Sequence, residues 1–504
     1  MSKQPIVIIG AGVGGLAAAA LLAARGEPVL VLERAATPGG KMRKVKIGDA
    51  AIDGGPTVFT MRWVFDDIFA AAGSRLEDHL ALARLDILAR HAWGPSQRLD
   101  LFADVQRSAD AVASFSGAEE GRRFLGFCAE SRRIYDTLRK PFLMSQRPDP
   151  VKLATANGLG GMAGMLRINP FEKMWTALGR HFTDPRLRQL FGRYATYCGS
   201  SPFEAPATLM LVAHVEQEGV WSVAGGMHRL ARALETLATR QGAAFRYGAE
   251  VHGIETNGGR VSAVKLASGE VISCSEVIAN CDANALAMAL FGPAAARVVG
   301  RVAPPERSLS AVVWTVRARS AGFPLSRHNV FFSNDYAGEF RSLQRAVSDD
   351  PTVYICAQDR DDAISGPERL LILVNAPAAG DTQRTDVQRA EVAMQRRLQV
   401  SGLQLDWQAQ DCVVTDPAGF AQLFPATGGA LYGRASHGWM ASFRRPAAAT
   451  ALPGLYLAGG SVHPGPGVPM AALSGRLAAE SLLNARGSTR WFRRTATAGG
   501  ISMR

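Results

Sequence analysis

The run Ile6-Val7-Ile8-Ile9-Gly10-Ala11-Gly12-Val13-Gly14-Gly15 constrains this chain more than any other stretch. Four consecutive β-branched residues predict a buried parallel strand. Gly10, Gly12 and Gly15 then fall at the G-x-G-x-x-G spacing where such a strand turns into a helix. The first glycine permits the tight turn, the second brings backbone close to a pyrophosphate, and the third lets helix and strand pack closely. Gly14 completes the loop, and the helix start offers free N–H groups at a positive dipole end. Leu16 to Arg25 is almost all Ala and Leu, which predicts a buried helix that stops at Gly26. Val29 to Leu32 makes a second strand, and Glu33 follows eighteen residues past Gly15, near the offset of a carboxylate that binds a ribose hydroxyl. Together these signals predict a dinucleotide site.

At 504 residues the chain is long enough for two or three domains. Its six cysteines are scattered without a C-x-x-C pair, so no disulfide framework and no metal site is signalled, and a reducing compartment is expected. Pro5 to Ala24 lacks charge and could pass for a signal peptide or membrane span, but its glycines stand where phosphate binding needs them. No signal peptide and no transmembrane helix are therefore expected. The net charge of +12 is spread along the chain without a nucleic-acid-binding motif, which argues against nucleic acid as partner. Beyond Glu480 there is no further acid, and Arg486, Arg490, Arg493, Arg494 and Arg504 surround Trp491 and Phe492. Residues 486–504 thus form a basic tail suited to an anionic bilayer surface or to plain solvation.

The βαβ rhythm is lost over 57–221, which reads as a largely helical insert. Within it, Pro141-Phe142-Leu143-Met144, the glycine-rich 157–166 run, Phe171 and Met174-Trp175 are punctuated by Lys152, Arg167, Lys173 and Arg180. Apolar surface ringed by cations suits a protein that dips into one leaflet. Ordinary core helices joined by a loop explain the same letters. Strands are expected at 244–247, 250–256, 261–266 and 271–272, with a hairpin turn at Asn257-Gly258-Gly259. Residues 291–446 alternate strands, such as 309–316 and 370–375, with a helix near 386–398, which predicts an antiparallel substrate domain. Asp359, Asp361 and Asp362 read there as a solvated loop with Arg360. A last strand, Leu455 to Leu457, leads into Ala458-Gly459-Gly460-Ser461-Val462-His463-Pro464-Gly465-Pro466-Gly467-Val468-Pro469-Met470 and a small-residue helix. That loop again aims helix N–H groups at negative charge. His463 could be a base, but its Pro and Gly neighbours favour a role in the loop itself.

Arg34, Thr37-Pro38-Gly39-Gly40-Lys41 and Asp53-Gly54-Gly55-Pro56 resemble the extended fingerprint of the amine oxidase and phytoene desaturase superfamily of flavoproteins. The closing segment strongly resembles the signature of bacterial-type phytoene desaturases. With Phe424 to Trp439 and Phe443-Arg444-Arg445-Pro446, the chain looks closest to the 1-hydroxycarotenoid 3,4-desaturases, or methoxyneurosporene dehydrogenases, of spheroidene pathways. The resemblance implies an α/β fold: a Rossmann-like FAD-binding domain from 1–56, 222–290 and 447–485, with the substrate domain and helical insert attached. It implies FAD as cofactor, with its diphosphate wrapped by Gly39, Gly40 and Lys41 and the adenine near Val251. Asn280 returns the chain to the nucleotide sheet, and Gly459, Gly460, His463, Gly465, Gly467, Val468 and Met470 border the flavin. The implied reaction is dehydrogenation at C3–C4 of an acyclic 1-hydroxycarotenoid or 1-methoxycarotenoid by hydride transfer to flavin N5. Arg434 and His437 are candidates for steadying the oxygenated end. No catalytic dyad is readable, and the electron acceptor, a quinone or oxygen, is left open. A peripheral place on the cytoplasmic side of the inner membrane is expected. Gly460 stands where amine oxidases carry an acid, which weakens that assignment. Rival readings are a desaturase or isomerase of other regiospecificity, and an escort-type protein that holds isoprenoids without chemistry.

Overall fold

The computed structural model describes residues 4–147, 149, 168–360 and 366–495, with side chains described no further than residue 487. Lys152, the 157–166 run, Arg167, Asp361, Asp362 and Arg504 lie outside the described residues, as do the side chains of Arg490 to Arg494.

Ile6–Ile9 is the middle strand of a five-stranded parallel sheet ordered Leu455–Leu457, Val277–Ala279, Ile6–Ile9, Val29–Glu33, Ala244–Tyr247. One neighbour, Val29–Glu33, follows through a single helix and the other, Val277–Ala279, comes from distant sequence, and all four residues of Ile6–Ile9 are buried. A strand covered on both faces needs apolar side chains throughout, which is why it shows no alternation. The helix Val13–Ala23 is buried on almost every face against the sheet, His228–Arg240 and Val468–Thr495. Its alanines permit that approach. A Cβ on Gly475 would stand 2.0 Å from Gly14 O, so the first and last helices meet backbone to backbone.

The second layer is a large sheet ordered Gln404–Asp406, Ser310–Ala321, Glu368–Ala376, Val353–Ala357, His328–Phe331, Ile87–Ala92, Arg98–Phe102, with Cys412–Thr415 also paired to Ser310–Ala321. Pairing is antiparallel except between Ile87–Ala92 and His328–Phe331. The expected helical insert therefore contributes strands to this sheet. Ile87-Leu88-Ala89-Arg90-His91-Ala92 has no period-two alternation because it is covered on both sides, so the sequence hid it. The hairpin at Asn257-Gly258-Gly259 forms between Val251–Asn257 and Arg260–Leu266.

Other expectations change on packing. Phe142, Leu143 and Met174 are core residues, so they offer no free apolar face, whereas Phe171 is 69% exposed. Arg486 is no solvated tail residue, since its guanidinium is held by Glu276 and Glu27. Arg360 pairs with Glu368, and Asp359 with Arg369, so these side chains knit strand ends together. All six cysteines are free thiols.

Burial holds three histidines uncharged: His91 and His328 are pushed down to about 3 and His463 to about 4. An unfolded histidine titrates near 6.5, so below that pH the unfolded chain takes up protons that the folded chain refuses. This contribution to stability is complete above about pH 6.5 and is lost as pH falls toward 4. Urea unfolding should show a steady midpoint from pH 7.5 to 7 and a falling one between pH 6.5 and 5, above the range of ordinary carboxylates. A midpoint that holds constant to pH 5 would contradict the buried neutral state.

Candidate active site

Two glycine-rich segments far apart in sequence, Gly10 to Gly15 and the loop at Gly459, meet at Asn280. Its Nδ2 donates to Gly10 O at 3.1 Å, and its side chain lies so close that a Cβ on Gly14 would stand 2.7 Å from Oδ1. A Cβ on Gly459 would meet the same oxygen at 3.3 Å. The second glycine pair docks on the first through Gly39 N–H to Ala11 O, 2.9 Å. Gly54-Gly55-Pro56 then folds onto Lys41, where a Cβ on Gly55 would overlap Lys41 O at 1.8 Å. Between these segments runs a cavity of about 1330 Å³ that continues under the large sheet. Two helix N-termini, at Val13 and Val468, open onto it, each with first-turn N–H groups that have no partner inside the helix.

The cavity wall includes Gly10, Gly12, Gly14, Glu33, Arg34, Gly39, Gly40, Lys41, Gly54, Gly55, Pro56, Val251 and Asn280. Gly459, Gly460, Gly467, Val468 and Met470 line it as well. Gly15, Gly465 and His463 do not line it. Gly15 serves packing, since a Cβ there would stand 2.2 Å from Gly10 O. His463 is buried behind the loop, with Nε2–H donating to Ser145 O at 2.9 Å and its ring edge-on to Phe142. It thus ties the closing loop to the segment after the long helix Ala118–Leu138. The two residues expected to steady substrate also fall elsewhere. Arg434 pairs with Glu306 and donates to Arg301 O, and the exposed His437 accepts from Ser201 N–H through Nε2 at 3.1 Å. Tyr432 and Ser436 face the cavity in their place, because Arg445 Nη2 draws the Arg434 carbonyl inward at 2.7 Å.

The carboxylate of Glu33 is buried and bidentate, accepting from Ala11 N–H at 2.7 Å and Ala35 N–H at 2.8 Å. It therefore braces the first glycine loop while standing on the cavity wall. Arg34 is held to the Leu423 and Gln422 carbonyls, and Lys41 Nζ donates to Leu431 O at 2.5 Å. Burial lowers the pKa of Lys41, with Asp282 opposing the shift, and pushes Arg445 down to about 10. Asp282 caps the short helix Ala283–Ala287 with Oδ1, while its buried Oδ2 has no hydrogen-bond partner among the described residues and lies beside the cavity.

Sequence reasoning missed a second polar group, Thr57, Arg193, Tyr197, Glu216 and Tyr354, which lines the same cavity. Its signal was present in Arg193-Tyr194-Ala195-Thr196-Tyr197, a polar run inside an apolar helical region.

Residues 13–483 match the profile of the flavin containing amine oxidoreductases. The hydroxyneurosporene desaturase of Rubrivivax gelatinosus is 54% identical over 99% of this chain and 97% of its own. That of Cereibacter sphaeroides is 45% identical over 95% and 97%. The chain belongs to the carotenoid desaturase branch of the flavin-containing amine oxidoreductase family. Solved structures agree in fold: an oxidoreductase from Methanosarcina mazei superposes with TM-score 0.61 at 16% identity, covering 95% of this chain and 100% of that one. Putrescine oxidase gives 0.59 at 14%, over 96% and 99%. The protein is thus an oxidoreductase with FAD as cofactor. Its residues fit that group. The buried Asp282 Oδ2, without a hydrogen-bond partner among the described residues, is an acceptor suited to a hydroxyl-bearing chain, and two helix starts open N–H groups onto the same cavity.

Glu33 has two tasks in this reading, bracing the loop and accepting from a ribose hydroxyl. Replacing it by Ala strips two backbone N–H groups of their acceptor and should weaken FAD retention about 10–100-fold, as loss of charge-assisted hydrogen bonds does. Titrating apoprotein with FAD and following flavin fluorescence checks this; unchanged affinity would remove Glu33 from the site.

Proposed function

We propose that this protein desaturates acyclic 1-hydroxycarotenoids or 1-methoxycarotenoids of the neurosporene type at C3–C4. The observation that carries the reading is the apolar cavity running from the cofactor cradle beneath the large sheet, in a chain alike along nearly its whole length to hydroxyneurosporene desaturases. FAD, when bound, would supply the two-electron acceptor for a hydride removed from one carbon, with the proton of the adjacent carbon passing to water or a base. The chain's own residues do the rest. Glu33 would take the ribose end, Gly39, Gly40 and Lys41 would hold the diphosphate, and Val251 would offer backbone to the adenine. The helix starting at Val468 would turn its N–H groups and positive dipole end toward the ring, lowering the cost of negative charge there. Leu371, Leu373, Phe420, Val212 and Leu209 line the apolar wall along which a polyene can lie. Confinement there exchanges the freedom of a long chain for alignment of C3–C4 over the ring.

Anaerobic incubation with 1-hydroxyneurosporene in liposomes should bleach the flavin and shift the polyene absorption to the red. A colourless protein that cannot be reconstituted with FAD would favour the escort-type reading. A bleached flavin with a product unsaturated elsewhere would favour other regiospecificity.

The substrate partitions into lipid, so the protein works at a membrane surface, in our reading as a peripheral protein on the cytoplasmic side of the inner membrane. Among the described residues no helix is long and apolar enough to cross a bilayer. Phe171 and Trp439, 69% and 42% exposed, stack edge to face with centroids 5.0 Å apart, and Trp439 lines the cavity beside Pro170 and Ile168. An exposed aromatic pair at a cavity mouth, with exposed Arg444 nearby in sequence, suits the headgroup level of an anionic leaflet. Replacing both Phe171 and Trp439 by Ser should cut co-sedimentation with anionic vesicles several-fold and leave the flavin spectrum intact. Equal sedimentation would place the contact surface elsewhere.

A further inference from the structure

One polar cluster interrupts the apolar cavity, and its bonding has a direction. Glu216 accepts from Tyr194 Oη at 2.6 Å and from Tyr197 Oη at 2.7 Å. With its O–H directed at Glu216, Tyr197 accepts from Arg193 Nη1 at 3.3 Å. The Arg193 guanidinium lies 5.3 Å from the ring centroids of both Tyr197 and Tyr354. Tyr354 is fixed in turn by Thr57 Oγ1 at 2.7 Å and His328 Nδ1 at 2.8 Å. Arg193 is only half-buried, and the surface it keeps faces the cavity.

Arginine carries five N–H donors and no acceptor. Among the described residues, the Arg193 guanidinium makes that one hydrogen bond and pairs with no carboxylate. A cation enclosed in an apolar cavity without an ion pair is costly unless something else meets it. The two tyrosine rings meet its faces. The edge with the remaining donors has no partner among the described residues, so it suits an oxygen.

The position of the cluster says which oxygen. Thr57 directly follows the Gly54-Gly55-Pro56 turn, at the cofactor end of the cavity. An oxygen on C1 is two carbons from C3, so a group that grips it while C3–C4 reacts must sit beside the cofactor. Arg193 meets that requirement; Arg434 and His437 are not on the cavity wall.

We propose that Arg193, oriented by Tyr197 and Glu216 and stacked between Tyr197 and Tyr354, binds the oxygen at the end of the substrate and accounts for the preference for oxygenated carotenoids. The inference rests on the desaturase reading above. Because arginine only donates, the oxygen is bound as an acceptor. A hydroxyl and a methyl ether are therefore both recognised, whereas the hydrocarbon end leaves a buried donor unpaired.

The test compares the holoenzyme and its Arg193→Leu, Arg193→Lys and Tyr197→Phe variants on the 1-hydroxy, 1-methoxy and oxygen-free forms of one polyene. Polyene binding is followed in parallel by quenching of tryptophan fluorescence. The native protein should use both oxygenated forms within a few-fold of each other, and the oxygen-free form about 10–100-fold less well in kcat/KM. Arg193→Leu should lose that factor on the oxygenated forms alone, leaving the three substrates nearly equal, with the flavin spectrum unchanged. Arg193→Lys should recover part of the preference. Tyr197→Phe should raise KM for the oxygenated forms and leave kcat near native.

Equal losses on all three substrates would overturn the proposal, as would a methyl ether rejected as strongly as the hydrocarbon. If Arg193→Leu does not fold, the Lys and Phe variants carry the same comparison. A native protein that desaturates none of the three would refute the function itself, whereas one that desaturates all three equally would refute only this site.

Discussion

Close approach of backbone to backbone is the constraint on which the molecule depends. The first strand, its glycine turn and the helix after it are pressed against segments more than 250 residues away, through Asn280 and Gly475, at distances that leave no space for a Cβ. Glycine loses more conformational entropy on ordering than any other residue. The parallel sheet and the buried alanine helix offset that loss with apolar burial. What results is a rigid floor with donor groups aimed at one place, which a phosphate and a flavin ring need.

Above that floor, the buried cations obey a common rule. Lys41 and Arg445 are satisfied by carbonyl oxygens: Leu431 for the first, Tyr432, Gly460 and Arg434 for the second. Arg193 is met by a tyrosine oxygen and two rings. Cations held by dipoles rather than in contact ion pairs keep donors available to a ligand, while the carboxylates of Glu33, Asp282 and Glu216 stand on the same wall. The surrounding apolar wall has little dielectric screening, so a few donors have a large effect.

The readable parts of this chain were the local ones. Strand, glycine turn, helix and acid lie within the first 33 residues, and each obeys a rule of spacing that needs no partner. The hairpin at Asn257-Gly258-Gly259 was readable for the same reason. The strand at 87–92 was not, because a strand's partners decide its pattern, and one of its partners comes from 328–331. Arg434 and His437, expected beside the substrate, lie off the cavity wall for a like reason. Proximity to a motif in sequence placed them near the site, but their side chains turn away to Glu306 and to Ser201 N–H.

By itself, then, the sequence determined the nucleotide floor, since phosphate recognition is done by backbone whose geometry a run of glycines dictates, and it was the family resemblance that implied FAD. Tertiary structure alone decided which polar side chains enter the greasy space above it. Arg193, Glu216 and Tyr354 stand on three separate segments, and no spacing rule links residues whose only relation is that one cavity encloses them all.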